Sequence, residues 1–464
     1  MGIGDCIVKD IDENNEDDSN QLKLDDFVLL YPIGRGGFGR VWKVRLKRQY
    51  SSQILDIRLQ KNKSRIFAMK EMSKAKVHLK KSVKSVANER KFLEMFNYNL
   101  LCNMYYAFQD ADTLYIVMDY LSGGDLRYHI CRKDSFTEKE TKFIAACITL
   151  SLNYIHEKNV IHRDLKPENL VFGADGYLHL TDFGIAMEYN NNGPGVVSAS
   201  GTPGYMAPEA IINKPQNFCV DYFALGVIVY ELMMGERPYQ GNNRKEIKEQ
   251  MFTLEIKLDN DDLPEDWEDD NILDFINQLL KRKKAKRLGS KGCNEIKNHP
   301  WFKDVQWEQI ENCILNSPFV FDSEDNFDDS YAQQQDNDSI YEGKKELYIL
   351  EVNESSSFKN FYFNIEDKIL EENNEQNINI NSNKRRDIKR GTKTHTTSKT
   401  STKKVSDESV VIHNNKRAYN IRKSAKFKGI FPDSGNKIIN VERKEIKSGS
   451  MRLHLNDNDE EKEK

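Results

Sequence analysis

Long hydrophobic runs are missing from these 464 residues. No stretch of about 18 apolar residues occurs, so no bilayer-spanning helix is expected. Any CxxC pair is missing too. The seven cysteines, at 6, 102, 131, 147, 219, 293 and 313, are odd in number and scattered, which fits reduced thiols better than a disulfide framework or a zinc site. The opening MGIGDCIVKDIDENNEDD has neither a basic n-region nor a long apolar core, so no secretory leader is expected and the chain reads as cytoplasmic. A large charge of either sign is also lacking. The net charge is -4, which argues against a nucleic-acid binder for the chain as a whole. No internal repeat is evident.

What is present divides unevenly. Residues 1–26 are acidic and polar, are expected to be disordered, and offer nothing to a core. From Phe27 to about Phe302 apolar periodicity is dense. Strand-like runs come first, as in FVLLYPIG, RVWKVRL, RIFAMKEM and LYIVMDY. Long helical patterns follow, TEKETKFIAACITLSLNYIHEKN and DYFALGVIVYELMMG, the first opening on a Thr137–Glu140 capping box. A strand-rich half before a helix-rich half predicts an α+β fold, not alternating βαβ units. Past Phe363 the chain turns to Asn, Lys, Ser and Thr, and 364–464 is expected to be disordered. Within it, Lys384–Lys428 carries a net charge of +12; it reads as a solvated, phosphorylatable tail or as an electrostatic tether.

Four short motifs carry chemistry. GRGGFGRV places Gly34, Gly36 and Gly39 between two strands, with Phe38 at the turn and Val41 just beyond. Glycines let backbone N–H groups approach phosphate oxygens, and the strand that follows excludes a dinucleotide fingerprint, which needs a helix there. FAMK sets Lys70 on a strand among apolar neighbours, so its ammonium needs an acid; Glu89, in SVKSVANERKFLEMF, is the candidate. IHRDLKPENL supplies Asp164, Lys166 and Asn169, and LTDFGIA adds Asp182. Phosphoryl transfer from ATP needs a carboxylate to accept the hydroxyl proton, a cation on the moving phosphate and oxygen ligands for Mg²⁺. These residues supply all of them.

The set, in this order, resembles the protein kinase superfamily over residues 27–302, with APE at Ala207–Glu209. GTPGYMAPE, KRLGSKG, HPWFKDVQW and NFDDSY resemble the AGC group of serine/threonine kinases. YYAFQDADTLYIVMDYLSGGDLRYHI is most similar to its YANK branch, a relative of cyclic-nucleotide-dependent kinases being the alternative. The resemblance implies a bilobal fold, with a small β-rich lobe, a larger helical lobe and ATP between them. It implies Asp164 as base, Lys70 paired with Glu89, and Asn169 and Asp182 on Mg²⁺. It further implies Met118 as gatekeeper, adenine on the backbone of Asp119 and Leu121, and Ile33, Val41, Ala68 and Val171 around the ring.

Residues 303–363 correspond to the AGC tail, with Phe327 over the cleft and FKNFYF (Phe358, Phe361, Phe363) as the hydrophobic motif that docks on the small lobe. Arg287 is expected to pair with Glu209. Asp125, Glu168 and Glu231 match acids that select arginine before the target hydroxyl, and Thr202 braces the loop beneath it. Ser198 aligns with the activation-segment phosphosite, facing Arg163, but Met187 and Ser85 replace two basic contacts, so only modest dependence on phosphate is expected. Tyr362 stands where the hydrophobic motif usually has Ser, Thr or an acid. Gly2 and Cys6 approach an acylation signal, which implies peripheral membrane association. A monomeric kinase acting on proteins is expected; a pseudokinase scaffold is the rival, although Lys70, Asp164 and Asp182 are all present.

Overall fold

The computed structural model describes residues 21–47, 64–133, 135–190, 193, 195–198, 200–321, 358 and 360–369. Gly2, Cys6, Phe327 and the basic stretch Lys384–Lys428 lie outside them.

The strand-like runs form an antiparallel sheet from β1 (Phe27–Arg35), β2 (Arg40–Leu46), β3 (Ile66–Ser73), β4 (Met104–Gln109) and β5 (Thr113–Asp119), in the order β1-β2-β3-β5-β4. Register decides what each face does. Val41 lies opposite Lys70, and Ala68 opposite Met118. Opposed residues share a face and the side-chain period is two, so Val41, Ala68, Lys70 and Met118 all point the same way. The reverse face buries Phe67, Met69 and Tyr106, with Phe27 edge-on to Tyr106 at 6.2 Å.

Two helices follow β3: α1 (Lys74–Leu79), capped by Ser73, and α2 (Val83–Met95). Val86, Glu89, Phe92 and Leu93 make the buried stripe of α2 at helical spacing. Glu89 is therefore an acid on an otherwise apolar face.

The second half is helical. α3 (Leu126–Ile130) is short; α4 (Glu138–Glu157) opens with the expected capping box, Thr137 and Glu140 each bonding the other's backbone N–H. α5 (Cys219–Met234) is buried nearly all round, the mark of a central helix, and ends at Gly235 with φ 76°. It packs between α4 and α6 (Asn271–Leu279). Two small two-stranded antiparallel sheets complete it: β6 (Val160–Ile161) with β9 (Met187–Glu188), and the hairpin β7 (Leu170–Phe172) with β8 (Leu178–Leu180). The expected Arg287–Glu209 pair forms, buried and bidentate at 2.7 and 3.0 Å.

The aromatic tail cluster docks on the small half. Phe358, Phe361 and Phe363 are buried. Arg90 of α2 donates to the carbonyls of Phe361 (2.9 Å) and Tyr362 (2.8 Å), and Gln109 donates to that of Phe358 (2.9 Å). β10 (Phe363–Asn364) then pairs with β4 and becomes a sixth strand.

Two expectations need correction. Order continues past Phe363 to Ile369: Ile365 and Glu366 are buried, and Tyr106 and Lys368 bond across to Glu366 and to the Glu94 carbonyl. β-pairing of a short edge segment needs no long apolar run, so composition hid it. At the other end Leu22 is 5% exposed and belongs to the core. One leucine in an acidic stretch gives no periodicity.

Because the docked aromatics are buried, Phe358→Ala/Phe361→Ala is expected to lower the thermal midpoint by about 5 °C or more, at ~2–4 °C per kcal/mol for domains of this size. A chain ending at Phe363 should melt below one ending at Ile369. Calorimetry checks both; unchanged midpoints would contradict the docking.

Candidate active site

The motif residues converge where the sheet meets the helices. Lys70 Nζ lies 2.5 Å from Glu89 Oε1. Burial works against the charge on Lys70, but Glu89 and Asp182 outweigh it and raise its pKa. An ammonium that stays charged in a largely dry place can hold an anion.

Asp164 owes its place to a carboxylate on α5. Asp221, 1% exposed, accepts the backbone N–H groups of His162 (2.9 Å) and Arg163 (2.8 Å), and His156 Nε2 lies 2.8 Å from it. Burial would push the Asp221 carboxyl up, yet His156, His162 and the Arg163 amide hold it below the ordinary carboxylate value. These bonds sustain a left-handed Arg163, φ 69°, unfavourable for a residue with a Cβ.

The next residue is then surrounded. Asp164 Oδ1 accepts the Thr202 N–H (2.9 Å) and hydroxyl (2.8 Å), and Oδ2 accepts Lys166 Nζ (2.7 Å). Asn169 Nδ2 donates to the Asp164 carbonyl at 2.9 Å. Asp164, Lys166, Asn169 and Thr202 thus form one cluster, as expected.

Asp182 begins the neighbouring loop, also left-handed at φ 61°. His162 Nε2 meets the Thr181 carbonyl at 3.1 Å and ties the two loops together. Burial opposes ionisation of Asp182, but Lys70, the Gly184 amide, His162 and Lys166 hold its carboxyl below the ordinary value. Among the described residues no three His, Cys, Asp or Glu side chains form a metal cage. One carboxylate and one amide oxygen, Asp182 and Asn169, instead suit a hard divalent cation that fills its shell with phosphate oxygens and water. The residues present fit ATP with such a cation.

The nucleotide-facing expectations also find places. Gly36 N–H donates to the Gly39 carbonyl (2.9 Å), closing the turn between β1 and β2. Only glycine fits at 39, where a Cβ would come within 2.0 Å of the Glu71 carbonyl oxygen. Gly34 pairs with Val41, and Ile33 precedes it on β1. Phe38 is half-buried, with the Lys80 ammonium 5.7 Å from its ring. The Asp119 carboxylate accepts from Asn103 and Tyr105, fixing the end of β5. From there the chain passes Leu121 and bridges Asp125 to Val171 on β7.

The remaining expectations fare differently. Ser198 Oγ lies 3.5 Å from Arg163 Nη2, while Arg163 also donates to the Ile185 carbonyl (2.9 Å) and the Met187 sulfur (2.9 Å). Ser85 donates to the Gly184 carbonyl. The three acids assigned to a substrate arginine already have partners within the chain. Asp125 caps α3 through the Tyr128 N–H at 2.7 Å. Glu168 and Glu231 both hold Arg127, at 3.1 and 2.8 Å. Sequence reasoning missed Arg127, Tyr205 and His156. Only the position of Arg127, two residues after Asp125, hinted at it.

A test of the Asp221 anchor follows from its charge. Its folded pKa lies below the unfolded value near 3.9, so the ionised group adds stability at neutral pH that is lost as pH falls from the unfolded value towards the folded one. Asp221→Asn is expected to lower the thermal midpoint by about 5 °C or more at pH 7. The gap from wild type should stay constant above about pH 5 and narrow below about pH 4. Equal midpoints at pH 7 would contradict the anchor.

Comparison with known proteins agrees with this geometry. Residues 27–302 match the family described as the protein kinase domain. A "Probable serine/threonine-protein kinase" of Dictyostelium discoideum is 34% identical over 69% of this chain and 67% of its own length. Serine/threonine-protein kinase sgk-1 of Caenorhabditis elegans is 36% identical over 67% of this chain and 64% of its own. cAMP-dependent protein kinase type 3 of Saccharomyces cerevisiae is 33% identical over 68% of this chain and 74% of its own. With the motifs, the two-part fold and the clustered charges in hand, this chain belongs to the protein kinase family, as a serine/threonine kinase of the AGC group.

Proposed function

We propose that the chain transfers the γ-phosphoryl group of ATP, with Mg²⁺ as the cation, to serine or threonine hydroxyls of proteins in an intracellular signalling role. The observation that carries this reading is the Asp164 carboxylate, held by Thr202 and Lys166 with Asn169 beside it. Bound ATP supplies the phosphoryl group, and its divalent cation neutralises charge on the phosphate oxygens. Asp164 orients the attacking hydroxyl and takes its proton. Lys166, 2.7 Å from Asp164, meets charge on the phosphate side. Lys70, steadied by Glu89, would hold the non-transferred phosphates; Asn169 and Asp182 would hold the cation. Ile33, Val41, Ala68, Met118 and Val171 would enclose the base, and the backbone of Asp119 and Leu121 would hydrogen-bond it.

A pseudokinase scaffold has no observation in its favour: Lys70, Asp164 and Asp182 are all in place. Within the AGC group we keep the YANK-type branch. We also retain a cytoplasmic, monomeric enzyme, with acylation at Gly2 or Cys6 giving it a peripheral membrane site. Selection for basic residues near the target rests on Asp125, Glu168 and Glu231, each of which already holds a partner within the chain.

Asp164→Ala, Lys70→Met and Asp182→Asn are each expected to lower the rate of peptide phosphorylation about 100-fold or more, because each group acts on charge that shifts in the transition state. Excess chelator should abolish transfer. Ser198→Ala should stay within about threefold of wild type, since one arginine grips a phosphate weakly. Near-normal turnover of any of the first three variants, as folded protein, would contradict the assignment; loss of activity in Ser198→Ala would contradict the modest role given to that serine.

A further inference from the structure

We propose that Arg127 is a built-in occupant of the acidic surface beside the transfer site. While it sits there, arginine upstream of the target gains the enzyme little. This rests on the protein-kinase reading above and names the substrate preference of that same site.

A cavity of about 350 Å³ opens next to Asp164, lined by Arg127, Glu168, Thr202, Tyr205, Glu231 and Glu236, with Arg237 at its wall. Thr202 belongs both to this cavity and to the Asp164 cluster. A peptide whose hydroxyl reaches Asp164 therefore lays its neighbouring residues here. By composition the cavity invites a cation: three carboxylates, Glu168, Glu231 and Glu236, line it.

Arg127 already answers that invitation. Its Nε donates to Glu168 Oε1 at 3.1 Å, its Nη1 to Glu231 Oε1 at 2.8 Å, and its Nη2 to Glu231 Oε2 at 3.4 Å and to the Tyr205 hydroxyl. Tyr205 in turn donates to Glu231 Oε2 at 2.5 Å. One planar guanidinium thus bridges both acids from separate nitrogens, a spread of donors that a single-nitrogen ammonium lacks. Glu231 is 5% exposed, so its oxygens are spoken for in a dry setting. Glu168 is 44% exposed, and an exposed acid grips an added arginine weakly.

An incoming arginine faces two routes. It can displace Arg127, which is tethered to α3 and competes at high effective concentration. Or it can settle for the outer side of Glu168, in solvent. Arg237, whose guanidinium carbon lies 5.9 Å from the centre of the Tyr205 ring, further reduces the negative charge on offer. Two arginines against three acids leave an excess of one; without Arg127 the excess is two and the buried acid is released.

The test is a positional peptide library on the full-length chain, scoring kcat/KM for arginine against alanine at two and three residues before the target. Wild type is expected to favour arginine by no more than about threefold, the scale of an exposed ion pair. Arg127→Ala should raise the ratio to about tenfold or more, the scale of a desolvated charge-assisted hydrogen bond. Arg127→Ala/Glu231→Gln should bring it back down, which a merely loosened site would not do. If Arg127→Ala does not fold, Arg127→Lys keeps the charge but releases one acid, and should give an intermediate gain. A wild-type ratio of about tenfold or more, or no gain in any folded Arg127 variant, would overturn the inference. Failure of wild type to phosphorylate any peptide would be a different result, and would overturn the kinase reading itself.

Discussion

Two backbone N–H groups, those of His162 and Arg163, end on the single buried carboxylate of Asp221. That carboxylate stands on a helix buried nearly all round, where an unpaired charge is costly. It therefore needs donors, and the amides it recruits leave Arg163 in a backbone conformation it would not choose. Asp164 is aimed as a consequence. From the same residue the Arg163 guanidinium turns outward to the Ile185 carbonyl and the Met187 sulfur, so the segment after Asp182 is tied to the same point. A local demand for solvation in the core thereby sets the geometry of two loops.

A second dependency runs through α2. Neighbouring residues on it face different tasks: Glu89 turns inward to Lys70, while Arg90 holds the tail by two carbonyls. The helix cannot shift without disturbing both. The tail segment, by extending the sheet beside β4, also bears on the strand that pairs with β5. Stability at the sheet edge and the position of Lys70 are thus coupled through the Glu89 and Arg90 contacts of one helix.

Much of this was legible in the residues. The glycine turn, the strand lysine, the Asp164 run and the aromatic tail cluster are short-range patterns of special residue types, and each occupies a defined place in the fold. The Thr137–Glu140 box worked for the same reason: its partners are three residues apart. What escaped depends on long-range pairing. His156 and Asp221 are 65 positions apart, and Arg127 and Glu231 are 104. No periodicity announces such pairs. Glu168 and Glu231 were recognised as acids, but a list of acids does not say whether their partner comes from a substrate or from the chain itself. Leu22 and the stretch after Phe363 were missed because isolated residues gain their burial from surfaces built elsewhere.

The claim on which the rest depends is that Asp221 fixes the loop that aims Asp164. Amide hydrogen exchange at His162 and Arg163, measured together with single-turnover phosphoryl transfer in wild type and Asp221→Asn, tests it directly. The account predicts slow exchange in wild type, much faster exchange in the variant, and a transfer rate lower by about 100-fold with nucleotide binding kept within a few-fold. Unchanged protection of the two amides, or fast exchange alongside wild-type transfer, would contradict it.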